Sequence, residues 1–504
     1  MILFALALSA MPALAAPPDA SPVPMPRPDR AQTEVAPTAD LAAEPAAPRG
    51  GVVIEVIALA AIEEAETEPS EIQPADAASI TGTETSGTGE PSALAIATSR
   101  RPVARGEVPE DFAARAAELR AAADAPTRTN DPEFRAWITE FQARARAAGI
   151  AQSTLDAAFA GVQLNTRVLE RDRNQAEFSR ALWDYLDSAV SDTRIRNGRA
   201  QTEEWSQTLA RIEEQYRVEA EVVVAIWGLE SAYGAARGST DIIEAMASLA
   251  YDGRRRDFFE EQLIAALQIL QAGDTSPRNM TGSWAGAMGH TQFMPTSYLQ
   301  YARDFGGDGR RDIWSDNPQD ALASTAHYLA EHGWTYGQPW GMEVRIPDGF
   351  DYRLAGEQER IGAAFWNGQG VRLINGDPIP DHGPASILLP AGHRGVALVV
   401  YNNFRVIERY NPADAYVIAV GHLSDRIQGR PDFRASWPRG DRALTFAERE
   451  ELQRLLRAAG HYSEDIDGIV GPITIASIRS YQDAIGVTPD GYASLSILER
   501  LRNS

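Results

Sequence analysis

Val222-Val223-Val224-Ala225-Ile226-Trp227-Gly228-Leu229-Glu230-Ser231-Ala232-Tyr233-Gly234 sets one carboxylate at the end of an almost wholly apolar run. On a helix, Ile226 and Trp227 lie one turn before Glu230 and share its face, so the burial of one extends to the other. Burial disfavours the charged form of a carboxylate, which keeps such a Glu protonated near neutral pH and able to donate a proton. A lone Glu in this setting is more often a core-helix residue reaching its head to solvent. Two further blocks reverse that preference.

The second block is Gly286-Ala287-Met288-Gly289-His290-Thr291-Gln292-Phe293-Met294-Pro295-Thr296-Ser297-Tyr298, and the third is Tyr410-Asn411-Pro412-Ala413-Asp414-Ala415-Tyr416. Together with Glu230-Ser231-Ala232-Tyr233-Gly234, they resemble the signature of the membrane-bound lytic transglycosylase B family, glycoside hydrolase family 103. The resemblance runs from Asp131 to Arg430, about 300 residues, and rests on three ordered motifs, each weak alone. It implies a mainly α (α+β) fold: a lysozyme-like helical catalytic core with a small strand-containing insertion.

The resemblance also implies a chemistry. Most glycosidases use a pair of carboxylates, and the motifs place no second acid opposite Glu230, although Asp241 and Glu244 are near in sequence. In the family one Glu acts first as acid and then as base. It activates the C6 hydroxyl of N-acetylmuramic acid, which closes a 1,6-anhydro ring with no attacking water. By resemblance Glu230 is that residue, and its apolar lead-in suits the raised pKa the role needs. Gln292 falls in the glycan-contacting position, Met288 lines the cleft, and Ser283 and Asn411 match a polar pair that holds the sugar's N-acetyl group. Tyr410 and Tyr416 match the cleft tyrosines, whose faces suit the C–H surfaces of sugars; read alone, they are ordinary core residues. His290 occupies a variable position and takes no role.

Composition narrows the alternatives. Cysteine is absent from the 504 residues, which excludes disulfides, thiol nucleophiles, zinc–thiolate sites and an N-terminal lipidated Cys. A formal charge of −23 argues against nucleic acid as a partner. It also argues against long-range steering to an anionic wall, so recognition must come from shaped pockets. Residues 1–16, MILFALALSAMPALAA, read as an export signal with an Ala13-Leu14-Ala15 cleavage site, although the basic n-region is missing. The expected location is the periplasm, as a soluble monomer with no stable membrane insertion.

Residues 17–127 are rich in Ala, Pro, Glu, Thr and Ser and read as a disordered tether. Val52 to Ile62 and Asp111 to Ala123 are its two stretches with some propensity for structure. The catalytic part spans 128–437, with helices expected over Pro132–Ala148, Leu155–Phe159, Asn174–Asp187, Glu203–Tyr216, Phe258–Ala272 and Ala321–His332. Short strands are expected at Met342–Ile346, Ile387–Leu389 and Val396–Val400. The terminal unit, 444–504, resembles the peptidoglycan-binding domain 1 family, a three-helix module. The match is carried by the Ile466-Asp467-Gly468-Ile469-Val470-Gly471-Pro472 loop, Tyr481-Gln482 and Pro489-Asp490-Gly491-Tyr492.

Asp304-Phe305-Gly306-Gly307-Asp308-Gly309-Arg310-Arg311-Asp312 places oxygens at positions 1, 5 and 9 with Gly at 6, like a calcium loop. Gly306 at position 3 brings no side-chain oxygen, and Ser315 stands where the terminal Glu belongs. The resemblance supplies Asp320 as the later ligand; the plain alternative is a Gly/Asp turn entering a helix. No cofactor is required, and a weak structural calcium is the one metal the loop admits. His327-Tyr328-Leu329-Ala330-Glu331-His332 misses an inverted zincin spacing by one residue and reads as a solvated helix face. Arg254-Arg255-Arg256 is a short basic run that could meet carboxylates of stem peptides, and it reads more readily as a solvated helix start. The expected function is a lytic transglycosylase acting on peptidoglycan glycan strands. A non-catalytic wall-binding scaffold and a lysozyme-type muramidase are the alternatives.

Overall fold

The computed structural model describes residues 128–174 and 180–504. The expected export signal (1–16), the tether (17–127) and its two stretches at Val52–Ile62 and Asp111–Ala123 lie outside the described residues. The described helices are, in chain order, α1 Pro132–Ala147, α2 Gln152–Ala158, α3 Thr166–Asn174, α4 Leu182–Ala189, α5 Asp192–Glu204, α6 Ser206–Tyr216, α7 Ala220–Ser231, α8 Ile242–Asp252, α9 Arg256–Ala272, α10 Pro295–Tyr301, α11 Gln319–Glu331, α12 Ala363–Gly368, α13 Asn402–Tyr410, α14 Asp414–Ile427, α15 Phe446–Ala458, α16 Pro472–Ala484 and α17 Leu495–Arg502. Strand pairs are short: β1 Arg128–Thr129 with β2 Leu164–Asn165, and β3 Thr240–Asp241 with β4 Thr281–Gly282. A four-stranded antiparallel sheet, in the order β6–β5–β8–β7, is built from β5 Gly341–Arg345, β6 Arg372–Leu373, β7 Ser386–Leu388 and β8 Ala397–Val400. The fold is mainly α with small β portions.

Helix α7 is central because it is apolar all round: every residue from Val222 to Ser231 is buried. It packs against α14, α5, α11 and α6, and α4 joins the same core cluster through α14. A second cluster joins α1, α8 and α9 around Phe134, Met246 and Leu267. The start of α1 follows from its cap, since the Asp131 carboxylate accepts from the N–H groups of Glu133 (2.8 Å) and Phe134 (2.9 Å). The sheet has its own cluster around Trp366. Trp340 anchors the sheet to the helical core, because a Cβ added at Gly421 of α14 would stand 2.2 Å from its indole.

Several expectations need correction. The helix read over Asn174–Asp187 is not continuous: Arg180 and Ala181 are not helical, and α4 begins at Leu182 behind the extended N-cap Ala181. The helix read over Glu203–Tyr216 is broken at Trp205, the C-cap of α5. The Arg254 and Arg255 guanidinium groups are not a solvated run; both pair with the buried carboxylate of Asp172. His327 is also not on a solvated face, being buried against the Tyr216 ring.

A fourth apolar cluster is confined to the segment after Leu444, around Leu452, Ile478 and Leu498. A capping box between Thr445 and Glu448 starts α15. Each Asp-Gly loop is pinned by one glutamine. Gln453 accepts from the N–H groups of Asp467 (3.1 Å) and Gly468 (2.8 Å), and Gln482 accepts from that of Gly491 (2.8 Å). The module also touches the sheet region: the Asp490 carboxylate accepts from the His393 N–H (3.0 Å), and the Arg479 guanidinium donates to the Ala355 carbonyl (2.9 Å).

Candidate active site

Glu230 sits at the penultimate residue of α7, only 4 % exposed. Its Oε1 accepts a hydrogen bond from the Tyr416 hydroxyl at 2.6 Å. Burial pushes the carboxyl up to about 8 from an ordinary 4.5, while the Tyr416 hydrogen bond pulls the other way. Glu230 is therefore protonated at neutral pH. Among the described residues no other carboxylate lies within hydrogen-bond or ion-pair reach of it. Asp241 caps α8 by accepting from the Glu244 N–H (2.9 Å), and Glu244 is held by Arg128 (2.7 Å) and Asn165 (3.0 Å). Neither is available as a partner acid.

The turn after Glu230 is shaped by unusual backbone. Ala232 (φ 49°), Tyr233 (φ 60°) and Gly234 (φ 84°) are consecutive left-handed residues, a conformation that costs the two non-glycines energy and fixes the end of α7. The Tyr233 ring turns back over the helix. Its hydroxyl donates to the Arg194 carbonyl (2.7 Å), and a Cβ at Gly228 would stand 2.5 Å from the ring. Gly228 is thus the reason the aromatic lid over α7 can close.

The second block is tied to this turn by His290. The Trp227 indole N–H donates to His290 Nδ1 (3.0 Å), so the ring proton sits on Nε2 and is donated to the Ser315 carbonyl (2.7 Å). Arg237 reaches the same carbonyl (2.9 Å). Burial lowers the imidazole to about 4, which keeps it neutral. The Ser231 hydroxyl donates to the His290 carbonyl (2.6 Å). His290, to which the sequence lent no role, is the joint between the acid's helix and the second motif; its only sequence signal is a lone imidazole three residues before Phe293.

The third block closes on the other two. Tyr416 on α14 reaches Glu230, while the Tyr410 hydroxyl donates to the Thr291 carbonyl and its ring packs on Phe293 (centroids 5.9 Å apart). Burial raises both phenols well above their usual range, so each stays a neutral donor. The remaining expected contacts are less direct. Ser283 accepts from the Ala287 N–H (3.1 Å), and Asn411 accepts from the Ala413 N–H (3.1 Å) at the end of α13. Gln292, at φ 54°, gives its amide hydrogens to the carbonyls of Gly289 (2.8 Å) and Arg237 (3.2 Å). Met288 is fully buried in the second core cluster, and its backbone bridges Gly282 and Phe293. Ser283, Met288 and Gln292 make no hydrogen bond to Glu230.

The Asp304–Asp320 loop is a separate assembly. Asp304 accepts from the N–H groups of Gly307 (2.6 Å), Asp308 (3.1 Å) and Gly309 (2.8 Å). Asp320 accepts from those of Phe305, Gly306 and Asp312, each at 3.0 Å, and Asp312 accepts from those of Trp314 (2.9 Å) and Ser315 (3.1 Å). The carboxylates face the loop's own backbone, and among the described residues no three acidic or imidazole groups are gathered to hold a metal ion. As they stand, they do not form a calcium cage.

The model of the transglycosylase SLT domain matches residues 133–425, more than half of the chain. The chain belongs to this family. A peptidoglycan binding domain model matches residues 447–501. The chain resembles SltB3 of Pseudomonas aeruginosa, solved in complex with NAG-anhNAM-pentapeptide, at 49 % identity and a TM-score of 0.72, covering 73 % of this chain and 99 % of that one. It is 33 % identical over 250 residues to membrane-bound lytic murein transglycosylase B of Escherichia coli K12, covering 48 % of this chain and 66 % of that protein. The chain thus spans just under two thirds of that relative's length. The Escherichia coli lytic transglycosylase Slt35, solved in complex with calcium, is 29 % identical with a TM-score of 0.51, covering 59 % of this chain and 93 % of that one.

Proposed function

We propose that the chain is a lytic transglycosylase that cleaves the β-1,4 bond between N-acetylmuramic acid and N-acetylglucosamine in peptidoglycan, leaving a 1,6-anhydro-muramic acid end. The observation that carries the reading is Glu230: one buried carboxylic acid, protonated at neutral pH, with no second carboxylate in reach. Inverting glycosidases need a second carboxylate to activate water, and retaining ones need a nucleophile about 5 Å away. A lone acid suits a reaction in which it serves twice. Its proton passes to the glycosidic oxygen as the bond from C1 breaks, and the resulting carboxylate, steadied by the Tyr416 hydroxyl, takes the proton of the C6 hydroxyl. The C6 oxygen bonds C1, and Glu230 ends protonated as it began.

The other motif residues position the sugar. Gln292, with its amide hydrogens committed to backbone, offers its carbonyl oxygen to a sugar hydroxyl. Ser283 and Asn411 flank the N-acetyl group, Tyr410 and Tyr416 wall the site, and Met288 supports it from the core. The catalytic domain spans 128–437 and the wall-binding module 444–504. The protein works as a monomer in the periplasm, exported by residues 1–16. Among the described residues no helix is long and apolar enough to cross a membrane.

No cofactor enters the chemistry. Calcium binds the 304–320 loop weakly, at about millimolar levels, because it must displace the N–H groups that the aspartates already hold. Digestion of purified sacculi followed by mass spectrometry tests the main reading. Muropeptides lighter by one water than their reducing counterparts are expected; reducing muramic acid ends would overturn it.

A further inference from the structure

Among the described residues His290 makes no hydrogen bond to Glu230, yet it is buried against the acid's helix and turn at three points. The Trp227 indole N–H, three residues before Glu230, donates to Nδ1 at 3.0 Å, and the two rings meet edge to face. The Ser231 hydroxyl, one residue after the acid, donates to the His290 carbonyl (2.6 Å) and accepts from the Gly234 N–H (3.0 Å). Gly234, four residues after the acid, leaves the imidazole its space, since a Cβ there would stand 2.5 Å from the ring. The left-handed run at Ala232, Tyr233 and Gly234 persists only where its surroundings over-determine it. His290 supplies that constraint from outside the helix.

On its other side His290 is fixed to the segment after the second motif. Its backbone N–H donates to the Ile313 carbonyl (3.1 Å) and its Nε2–H to the Ser315 carbonyl (2.7 Å). The Arg237 guanidinium donates to the same Ser315 carbonyl (2.9 Å) and pairs with Asp316 (2.8 Å). Two residues beyond His290, Gln292 is held at φ 54° by its bonds to the Gly289 and Arg237 carbonyls. The joint holds in one protonation state only. Nδ1 accepts from the indole, so a proton placed there would face the Trp227 N–H. Burial lowers the imidazole to about 4; the Ser315 hydrogen bond, Asp312 and Asp316 oppose this shift, and Arg237 adds to it.

We propose that His290 is a positioning residue for the reaction: as the neutral Nε2–H tautomer it locks the turn after Glu230 to the second motif, and so sets the placement of the acid relative to the sugar that Gln292 holds. The proposal rests on the reading of the chain as a lytic transglycosylase. Its loss leaves the sugar contacts in place and lets the acid drift from the glycosidic oxygen. Misplacement of this kind slows the chemical step more than it weakens binding.

The test uses full-length protein with His290→Ala, His290→Asn and His290→Gln, assayed on soluble glycan fragments at a temperature where melts show each variant folded. The asparagine oxygen stands near the place of Nδ1 and keeps an acceptor for Trp227, whereas the glutamine amide reaches toward Ser315. His290→Ala is expected to lose about 10²-fold in kcat with KM little changed, and His290→Asn to lose only about tenfold, ahead of His290→Gln. Near-normal kcat in the alanine variant, a loss confined to KM, or an asparagine variant no faster than the glutamine one would each overturn the role. The asparagine and glutamine pair decides the matter if the alanine variant does not fold. Nitrogen-15 NMR of the wild type, with His290 assigned by its loss in His290→Asn, is expected to show a neutral Nε2–H ring from about pH 5 to 8. A ring that titrates in that range, or carries its proton on Nδ1, would also overturn the proposal. Absence of anhydro product from every glycan with wild-type protein would instead overturn the functional reading beneath it, while the NMR result judges the joint separately.

Discussion

Replacing Glu230 by Gln separates what the acid does for catalysis from what it costs the fold. The folded carboxyl titrates near 8 and the unfolded one near 4.5, so between those values the unfolded chain is ionised while the folded one keeps its proton. A group raised in this way contributes stability that is fully present at low pH and is lost as pH rises, by about 1.4 kcal/mol per pH unit. At pH 7 the loss amounts to about 3 kcal/mol, and above pH 8 it levels off at about 5 kcal/mol. The amide introduced by Glu230→Gln carries no charge and keeps an oxygen for the Tyr416 hydroxyl, so the substitution removes the pH-dependent loss. Its buried amide hydrogens cost about 1–3 kcal/mol at every pH, which offsets the curve without bending it. Thermal melts of both proteins from about pH 5 to 9 give the stability difference. The variant is expected to gain on the wild type steadily up to about pH 8 and then run parallel, while anhydro-muropeptide release falls by about 10²–10⁴-fold or more. A difference that stays flat across this range would refute the buried, protonated acid, and near-normal turnover by the variant would refute its role.

Tyr416→Phe removes the hydrogen bond that favours the Glu230 carboxylate, so the alkaline limb of the pH–rate profile is expected to move up by about one pH unit, with a lower kcat; a downward shift would contradict the assigned geometry. Gly228→Ala forces a methyl into the Tyr233 ring and is expected to cost about 1–3 kcal/mol in denaturant melts; a neutral result would show that the ring does not lie over α7. Millimolar calcium is expected to raise the melting temperature without changing kcat, and identical melts with calcium and chelator would remove the metal from the account. Deleting 444–504 is expected to weaken sacculus pull-down and slow sacculus digestion while sparing soluble glycan fragments; the reverse pattern would show that the Asp490–His393 contact completes the active-site fold.

The candidate site residues stand in short motifs, whose signal in the sequence is local. The apolar run ending in Glu230 leaves a buried acid and a solvent-reaching one both open, and the two later motif blocks decide between them. What escaped was set by distant partners. His290 gains its meaning only when Trp227 and Ser315 meet it across 63 and 25 residues of chain, respectively. Arg254 and Arg255 looked solvated because Asp172, their buried partner, lies 82 and 83 residues earlier. The aspartates of the 304–320 loop have calcium-like spacing, yet spacing does not record that backbone N–H groups already satisfy them.

In the proposed reaction the substrate's own C6 hydroxyl, and not water, attacks C1. Digestion of sacculi in water enriched in heavy oxygen reads this directly. The released muropeptides are expected to be anhydro species carrying no label at C1. Reducing muramic acid ends that each carry one heavy oxygen would show that water is the nucleophile and that Glu230 serves a hydrolase.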